Sequence, residues 1–443
     1  MRSLLSLLIL GGLFAPRAAQ AYALLTLDDG TPVRWQRDPV SFTAFADEAP
    51  LAAFERAAAT WSAVEGAQIT VQVRPGPANV DEPFIGYDRE HPSENENVIA
   101  FLRRGWRFDP RALAITVRTF SNVSGELLDA DILFNAAGHR FRVLAHAVAG
   151  DGDGRGPADV ESVAAHELGH ALGLEHNEID PWVTMAPTTG YGEVWMRDLA
   201  EDDRQGAAAL YPATAPAQEE ARELSGGGAL TSPVTTEGGA VGCSQASGAA
   251  SPLALLLLLA GLVARQLRPG AGARAALRAA RRGSVLCLAA LPALAHAAGH
   301  ASVPVEEYFR EAEIVLRGTV LGVEARWEGG LIMSRVTLAT AECFKGECPF
   351  TTHFEQLGGE LDGLVQSVAG VRPLVPGEEV VVMLTRRGEV WEAPLVQGIW
   401  QVLRRPGGPA IAVPLGPGEQ VPLVLEDLRS RLRQAFKEFA RRR

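Results

Sequence analysis

The sequence predicts an α/β domain in its N-terminal half and a small all-β domain at its C-terminal end. Three observations carry that reading. Between residues 22 and 213 strand-like and helix-like apolar patterns alternate. Residues 214–250 are rich in Ala, Gly, Ser, Thr, Pro and Glu with no apolar period, the composition of a linker. Residues 298–443 return to period-two alternation. At 443 residues the chain exceeds one ordinary domain. Its 47% hydrophobic and 21% charged content suits globular folding. A formal net charge of −12, with no basic aromatic groove, argues against a nucleic-acid partner.

Residues 1–21 read as a secretory signal peptide: Arg2 gives the positive start, Leu4 to Phe14 the apolar core, and Ala19-Gln-Ala21 the small-x-small cleavage site. The mature chain is expected to begin near Tyr22 and to be exported, extracellular or on the outer cell surface. A buried N-terminal helix is the alternative, and it leaves the charge order unexplained.

Within residues 22–213, Pro39 to Phe45 has strand character. Pro50 opens an amphipathic helix with Leu51, Phe54, Ala58 and Trp61 on one face. Further strands are expected at Ile69–Val73, Val98–Phe101, Leu113–Thr119 and Leu128–Asn135. The Gly- and Asp-rich stretch from Asn135 to Pro157 reads as loop with a short strand at Phe141–Ala147. Asp159 is a suitable N-cap for a helix beginning at Val160. A last helix, about Ala200–Leu210, closes the domain.

The Val160 helix carries the strongest chemical signal, His166-Glu-Leu-Gly-His-Ala-Leu-Gly-Leu-Glu-His176. Residues four apart share a helix face, so His166 and His170 can hold one metal ion together. Gly173 lets the chain leave the helix through a conformation that a side chain resists, and His176 returns as a third ligand. Three neutral imidazoles leave a fourth tetrahedral position open, the arrangement of a catalytic zinc. Glu167 stands beside the first ligand as a base. Ala164, Ala165, Leu168, Ala171 and Leu172 lie largely away from the histidines, so one helix face should pack on the core and the other should front a cleft. A satisfied core or surface helix is the bland reading, and five positions in register speak against it. His91, His139 and His353 have no such company and read as ordinary surface or core residues.

Beyond the linker, residues 243–268 form a tripartite tail: Cys243 among Gly and Ser, an apolar run at 252–264, then Arg265 and Arg268. Thirteen apolar residues are too few to span a bilayer as an ordinary helix, so the tail fits a processed sorting signal, with Cys243 the processing or anchor point. Residues 269–297 then hold a second signal-like segment, with an apolar core at Val285–Leu294 and Ala295-His-Ala297 after it. Either this is a second membrane element, or two neighbouring exported proteins share one reading frame. In residues 298–443 strands are expected at Ile314–Val323, Met333–Ala341, Val380–Leu384 and Val390 to about Val402, with a helix at Leu423–Phe439. Cys343 and Cys348 flank a turn-sized gap and are expected to pair in an exported protein.

At the histidine motif the sequence resembles the metzincin metallopeptidases, and among them the matrixins. Val183-Thr-Met185-Ala-Pro187 lies where that family carries its Met-turn, and Leu199-Ala-Glu-Asp-Asp203, Gly206 and Leu210-Tyr211 look like its closing helix. Trp35, Trp61 and Asp129-Ala-Asp-Ile-Leu-Phe-Asn135 also fit, so the resemblance covers roughly residues 30–212. It implies an α+β fold with a mixed twisted sheet. It also implies one catalytic Zn2+ on His166, His170 and His176, with Glu167 as the catalytic base. Met185 would form the site floor and Pro187 a wall of the specificity pocket. The implied activity is a zinc metalloendopeptidase, a hydrolase acting on protein or peptide substrates that lie extended beside an edge strand.

There are departures. Asn177 stands where matrixins usually have serine or threonine. No cysteine precedes Cys243 to serve as the family's propeptide latch. Leu144-Ala-His-Ala147 matches the strand that supplies a ligand of the family's structural zinc, but the companion ligands are not found, so His146 reads as a core or rim histidine. Asp151-Gly-Asp153-Gly has alternating carboxylates suited to Ca2+, a pattern also common in plain turns. The Cys243 tail resembles the MYXO-CTERM sorting signals of myxobacterial surface proteins, which implies processing machinery and membrane attachment as partners. The C-terminal part distantly resembles the netrin and tissue-inhibitor-of-metalloproteinase barrel, an OB-like fold, through Ala312-Glu-Ile-Val-Leu-Arg-Gly318 and Phe344-Lys-Gly346. The competing reading from a different class is a surface adhesion or binding protein with an inactive zinc site.

Overall fold

The computed structural model describes residues 22–77, 83–106, 108–149, 156–213, 305–369, 371–393, 398–404, 406–415 and 422–442. Both signal-like stretches, the Asp151/Asp153 loop, the linker and the Cys243 tail lie outside the described residues.

In the N-terminal half the elements run β1 (Ala23–Leu24), β2 (Val40–Phe45), α1 (Glu48–Ser62), β3 (Val71–Pro75), β4 (Asn97–Phe101), β5 (Ala114–Ser121) and β6 (Leu127–Phe134). Then come β7 (Phe141–Arg142), β8 (Ala158–Asp159), α2 (Val160–Leu172), β9 (Leu174–Glu175) and α3 (Glu201–Leu210). Strands β2, β3, β4 and β6 run parallel, and β5 returns antiparallel to β6. The alternation of a strand sorts the side chains between the two faces. Phe42 and Ala44 on β2 join Ala130, Ile132 and Phe134 on β6 in the core beneath α1 and α2. Leu133 turns to the opposite face.

Helix α1 begins two residues before the expected Pro50, because a proline in the first turn lacks only an N–H that has no helical partner there. Its buried Trp61 donates from Nε1 to the Ala165 carbonyl at 2.8 Å, and Trp35 donates to the Ala171 carbonyl at 2.8 Å. Two indoles thus fix α2 by its backbone. The strand expected over Phe141–Ala147 shrinks to β7, which pairs with β8; Leu144–Ala147 is irregular because Asp159 takes the Leu144 N–H at 3.0 Å.

The C-terminal half holds α4 (Val305–Glu311), β10 (Ile314–Glu328), β11 (Leu331–Lys345), β12 (Thr351–Leu357), β13 (Gly359–Leu361), β14 (Leu364–Val368) and β15 (Glu379–Arg387). After these come β16 (Val390–Glu392), β17 (Ile399–Leu403), β18 (Ile411–Pro414), β19 (Leu423–Val424) and α5 (Leu425–Arg442). Strand β10 pairs with β15 as well as β11, which closes β10, β11, β12, β16 and β15 into a ring. The single strand expected from Val390 to Val402 is two, since β16 pairs with one end of β15 and β17 with the other. Cys343 and Cys348 are joined, with sulfurs 2.06 Å apart.

Strands β13 and β14 leave that ring and extend the N-terminal sheet, whose order is β13-β14-β5-β6-β4-β2-β3. Leu331, Met333, Leu357 and Val368 pack with Val98, Ile115, Val117 and Leu133 in one cluster on the face away from the helices. The β10–β11 turn meets the N-terminal half at Gly86 and Gly330, where Tyr87 N–H donates to the Gly330 carbonyl at 2.9 Å. A Cβ on Gly86 would overlap that carbonyl, and its φ of 88° already favours glycine.

On the same face of β6, Asp131 accepts the Gly86 and Val98 N–H groups at 2.5 and 2.7 Å, and Asp129 accepts Asn95 Nδ2 at 2.7 Å. Burial pushes the Asp129 carboxyl up to about 7 and, together with the Asp129 charge, raises Asp131 well above the ordinary carboxylate range. The folded chain therefore keeps protons there that the unfolded chain releases near pH ~4. Stability from this pair is full below that pH and declines as pH rises towards neutrality. Asp129→Asn keeps an acceptor for Asn95 and cannot ionise, so it should flatten the decline. Urea midpoints at about pH 5 and about pH 8 measure both slopes, and equal slopes would refute the expectation.

Candidate metal centre

Helix α2 is fixed at both ends before its side chains do any chemistry. At its start the buried Asp159 accepts the Ser162 N–H at 2.9 Å, an N-cap bond, and receives Arg197 on both oxygens at 2.6 and 2.8 Å. At its end Gly173 takes φ 106°, and a Cβ there would overlap the Val33 carbonyl. That left-handed residue turns the chain into β9, which pairs with β1 and brings His176 back beside the helix.

The Nε2 atoms of His166, His170 and His176 converge, with separations of 3.1, 3.0 and 3.3 Å. In two of the rings the other nitrogen is engaged: His166 Nδ1 donates to the Thr184 carbonyl at 2.7 Å and His170 Nδ1 to the Leu174 carbonyl at 2.9 Å. In both rings the Nδ1 proton leaves Nε2 as a bare lone pair. Burial, with His176 and His166 next to it, holds His170 well below its ordinary value, so this imidazole is neutral. Lone pairs facing one another repel unless a cation lies among them. Tetrahedral zinc with bonds of about 2.1 Å would set its ligand nitrogens about 3.4 Å apart, so the donor set and its spacing both fit. These three are the group among the described residues able to hold a metal ion.

Glu167 is 5% exposed. Burial pushes its carboxyl up to about 7, against the opposing pull of a Thr116 hydrogen bond and the Arg118 charge. Thr116 Oγ1 on β5 lies 2.6 Å from Glu167 Oε2, and Arg118, two residues along, pairs with Glu175 at 2.6 Å. The expected open face of α2 is therefore covered, by β5 and by the 183–189 loop. Only His166 on the helix is more than slightly exposed.

That loop sits beneath the cluster. Met185 is 2% exposed, and a Cβ on Gly169 would overlap its sulfur and stand 2.8 Å from the Trp61 ring. Asp203 on α3 accepts the N–H groups of Thr184 at 2.8 Å, Met185 at 3.0 Å and Ala200 at 2.8 Å, which holds the turn against the helix. Asn177 donates its N–H to the Met185 carbonyl at 2.8 Å and its side chain to Asp202 at 2.8 Å, so the residue next to His176 is tied to both the Met185 loop and α3. Pro187 is buried in the same loop.

Other residues singled out in the sequence stand elsewhere. His146 is exposed and outside the cluster, His139 bonds Tyr191 Oη at 2.7 Å, His91 meets Asp88 at 3.2 Å, and His353 meets Thr337 at 2.9 Å. The Cys343–Cys348 pair belongs to the C-terminal ring. Sequence reasoning missed Thr116, Arg118 and the clamping role of Asp203. The one local signal for the first two is a polar residue at alternate positions in an otherwise apolar strand.

Residues 52–212 match the family model described as Matrixin, peptidase M10. Among curated relatives, metalloendoproteinase 2-MMP of Arabidopsis thaliana is 30% identical over 195 residues, 42% of this chain and 45% of that protein. Macrophage metalloelastase of Oryctolagus cuniculus is 51% identical over 49 residues, 11% of this chain and 10% of that protein. Human matrix metalloproteinase-16 is 51% identical over 53 residues, 12% and 9%. The chain thus spans less than half the length of these relatives. The segment around the metal centre is matrixin-like.

Gly169→Ala tests the packing of helix on turn. Overpacking there costs about 1–3 kcal/mol, while alanine in a helix returns about 1 kcal/mol relative to glycine. Met185 can give way but the Trp61 ring cannot, which puts the cost near the middle of that range, about 2 kcal/mol, so a net loss of about 1 kcal/mol is expected in urea unfolding. A gain in stability would show that helix and turn are not in contact.

Proposed function

We propose that the matrixin-like domain of residues 52–212 makes this chain an exported, surface-associated zinc endopeptidase acting on extracellular proteins. The observation that carries the reading is the convergence of three imidazole Nε2 atoms beside a buried glutamate. Zinc on His166, His170 and His176 would supply Lewis acidity to the scissile carbonyl and to the attacking water.

The chain's own groups do the rest. Thr116 occupies Glu167 Oε2 and leaves Oε1 to take the proton of the water, then to pass it to the leaving amine. Burial raises this carboxyl above its ordinary value, which makes it a stronger base for the water's proton than an exposed glutamate. The Thr184 and Leu174 carbonyls keep His166 and His170 in one tautomer and one orientation. Asp203 holds the Met185 turn that would form the floor, and Pro187, buried in the same loop, would wall the pocket for the residue after the cut. Export and surface attachment rest on the sequence patterns at residues 1–21 and 243–268; intact-mass analysis of native protein starting near Tyr22 and ending near Cys243 would support them.

One zinc per chain is expected by elemental analysis of purified protein. His176→Ala should lower zinc affinity at least ~10-fold, as loss of a ligand costs no less than loss of a ligand's supporting partner. Glu167→Gln should keep one zinc and lower kcat/KM on casein about 10²–10⁴-fold. Bound zinc with no cleavage of any peptide-library member, by wild type or by variants that free the edge of β5, would sink the peptidase reading.

A further inference from the structure

An extended peptide within reach of Glu167 needs a strand edge to lie against, and β5 is the strand that touches Glu167, through Thr116. Its inner edge is paired with β6. Its outer edge is taken by β14, antiparallel and in register from Leu364 opposite Ser121 to Val368 opposite Val117. The ladder runs on at both ends. Asn122 N–H donates to the Gly363 carbonyl at 3.1 Å, and Ala369 N–H donates at 3.1 Å to the carbonyl of Thr116 itself.

The contact is built rather than incidental. Gln366 is 1% exposed with its amide fully used: Nε2 donates to Thr119 Oγ1 at 3.1 Å and to the Gly330 carbonyl at 3.0 Å, and Oε1 accepts the Ile332 N–H at 2.7 Å. Val368 packs in the cluster shared by both halves, and Val365 packs on the helix-side core, the side of α2. At the hairpin tip Asn122 Nδ2 donates to Glu360 at 2.6 Å.

We propose that the β13–β14 hairpin is a built-in strand plug: it occupies the peptide-binding edge of β5 and closes the chain to extended substrates until it is displaced. The inference rests on the peptidase reading for its consequence and on the strand pairing for its existence.

Ladder alternation turns the N–H groups of Val365 and Ser367 towards β5, so the pair Val365→Pro and Ser367→Pro in the full chain removes those donors and leaves the pairing with β13. Hydrogen exchange of residues 114–121 reports whether the edge has opened, and elemental analysis reports whether zinc is kept. With the edge open, cleavage of casein should rise at least ~10-fold, and a fluorescein-labelled peptide copying Gly363–Ala369 should bind the proline pair and not the wild type.

Should the proline pair fail to fold, Val117→Cys with Val368→Cys locks the two directly opposed positions. The locked chain should cleave at least ~10-fold more slowly than wild type and recover in reductant, with reduced wild type as control. An exposed β5 with unchanged cleavage, or a locked chain as fast as wild type, overturns the plug and leaves the peptidase reading standing. If no form cleaves, the peptidase reading fails by itself, and the labelled peptide decides the plug: equal binding to both forms overturns it, binding only to the proline pair upholds it.

Discussion

Three imidazole Nε2 atoms within 3.3 Å of one another, two of them bare lone pairs, are a costly arrangement without a cation, and the N-terminal half is organised to impose it. The helix supplies two of them for nothing beyond its pitch, since residues four apart share a face. The third needs the left-handed turn at Gly173, and that turn holds only because β9 is caught by β1 and the Gly173 backbone runs against Val33. Carbonyls then fix the protonated nitrogens on the far side of two rings. Such preorganisation lowers the reorganisation needed when a cation arrives, which is why the supporting contacts matter as much as the ligands.

The central sheet separates two kinds of work. Its helix side is chemical: Thr116 and Arg118 on β5 reach the Glu167 and Glu175 carboxylates, and the indoles of Trp35 and Trp61 hold the α2 backbone. Its other side is structural, with the apolar cluster that joins the two halves and the buried Asp131 tying loop and strand together. One strand, β5, serves both, because alternate residues face opposite ways. Any change in what pairs with β5 is therefore felt beside the metal centre.

How legible this was in the sequence follows contact range. The three converging histidines, the N-cap at Asp159 and the exit at Gly173 lie within one helix and the few residues after it, so their spacing was legible in the sequence. Strand β6 and the core face of α1 were legible from periodicity. Thr116 was not, because its meaning lies in a glutamate 51 residues away. Asp203 showed as part of a helix, and nothing local says that its carboxylate holds the Met185 turn. The plug was hidden most completely. Leu364–Val368 is a short strand in a half that otherwise forms its own ring, and its partner lies more than two hundred residues upstream. Edge pairing between halves leaves no periodic trace.

The same edge chemistry sets how a plug of this kind behaves. A substrate strand laid on β5 would make the same backbone bonds that β14 makes, so exchanging one for the other is nearly neutral in ladder energy. Concentration then decides. A tethered segment acts at an effective concentration on the order of millimolar, so a free substrate at about 10 μM with equal intrinsic affinity is outcompeted roughly 100-fold. Gln366 and Val368 add contacts that an ordinary peptide lacks, which tilts the balance further towards the closed form. A plug of this kind acts by geometry on the β5 edge and leaves the three histidines untouched.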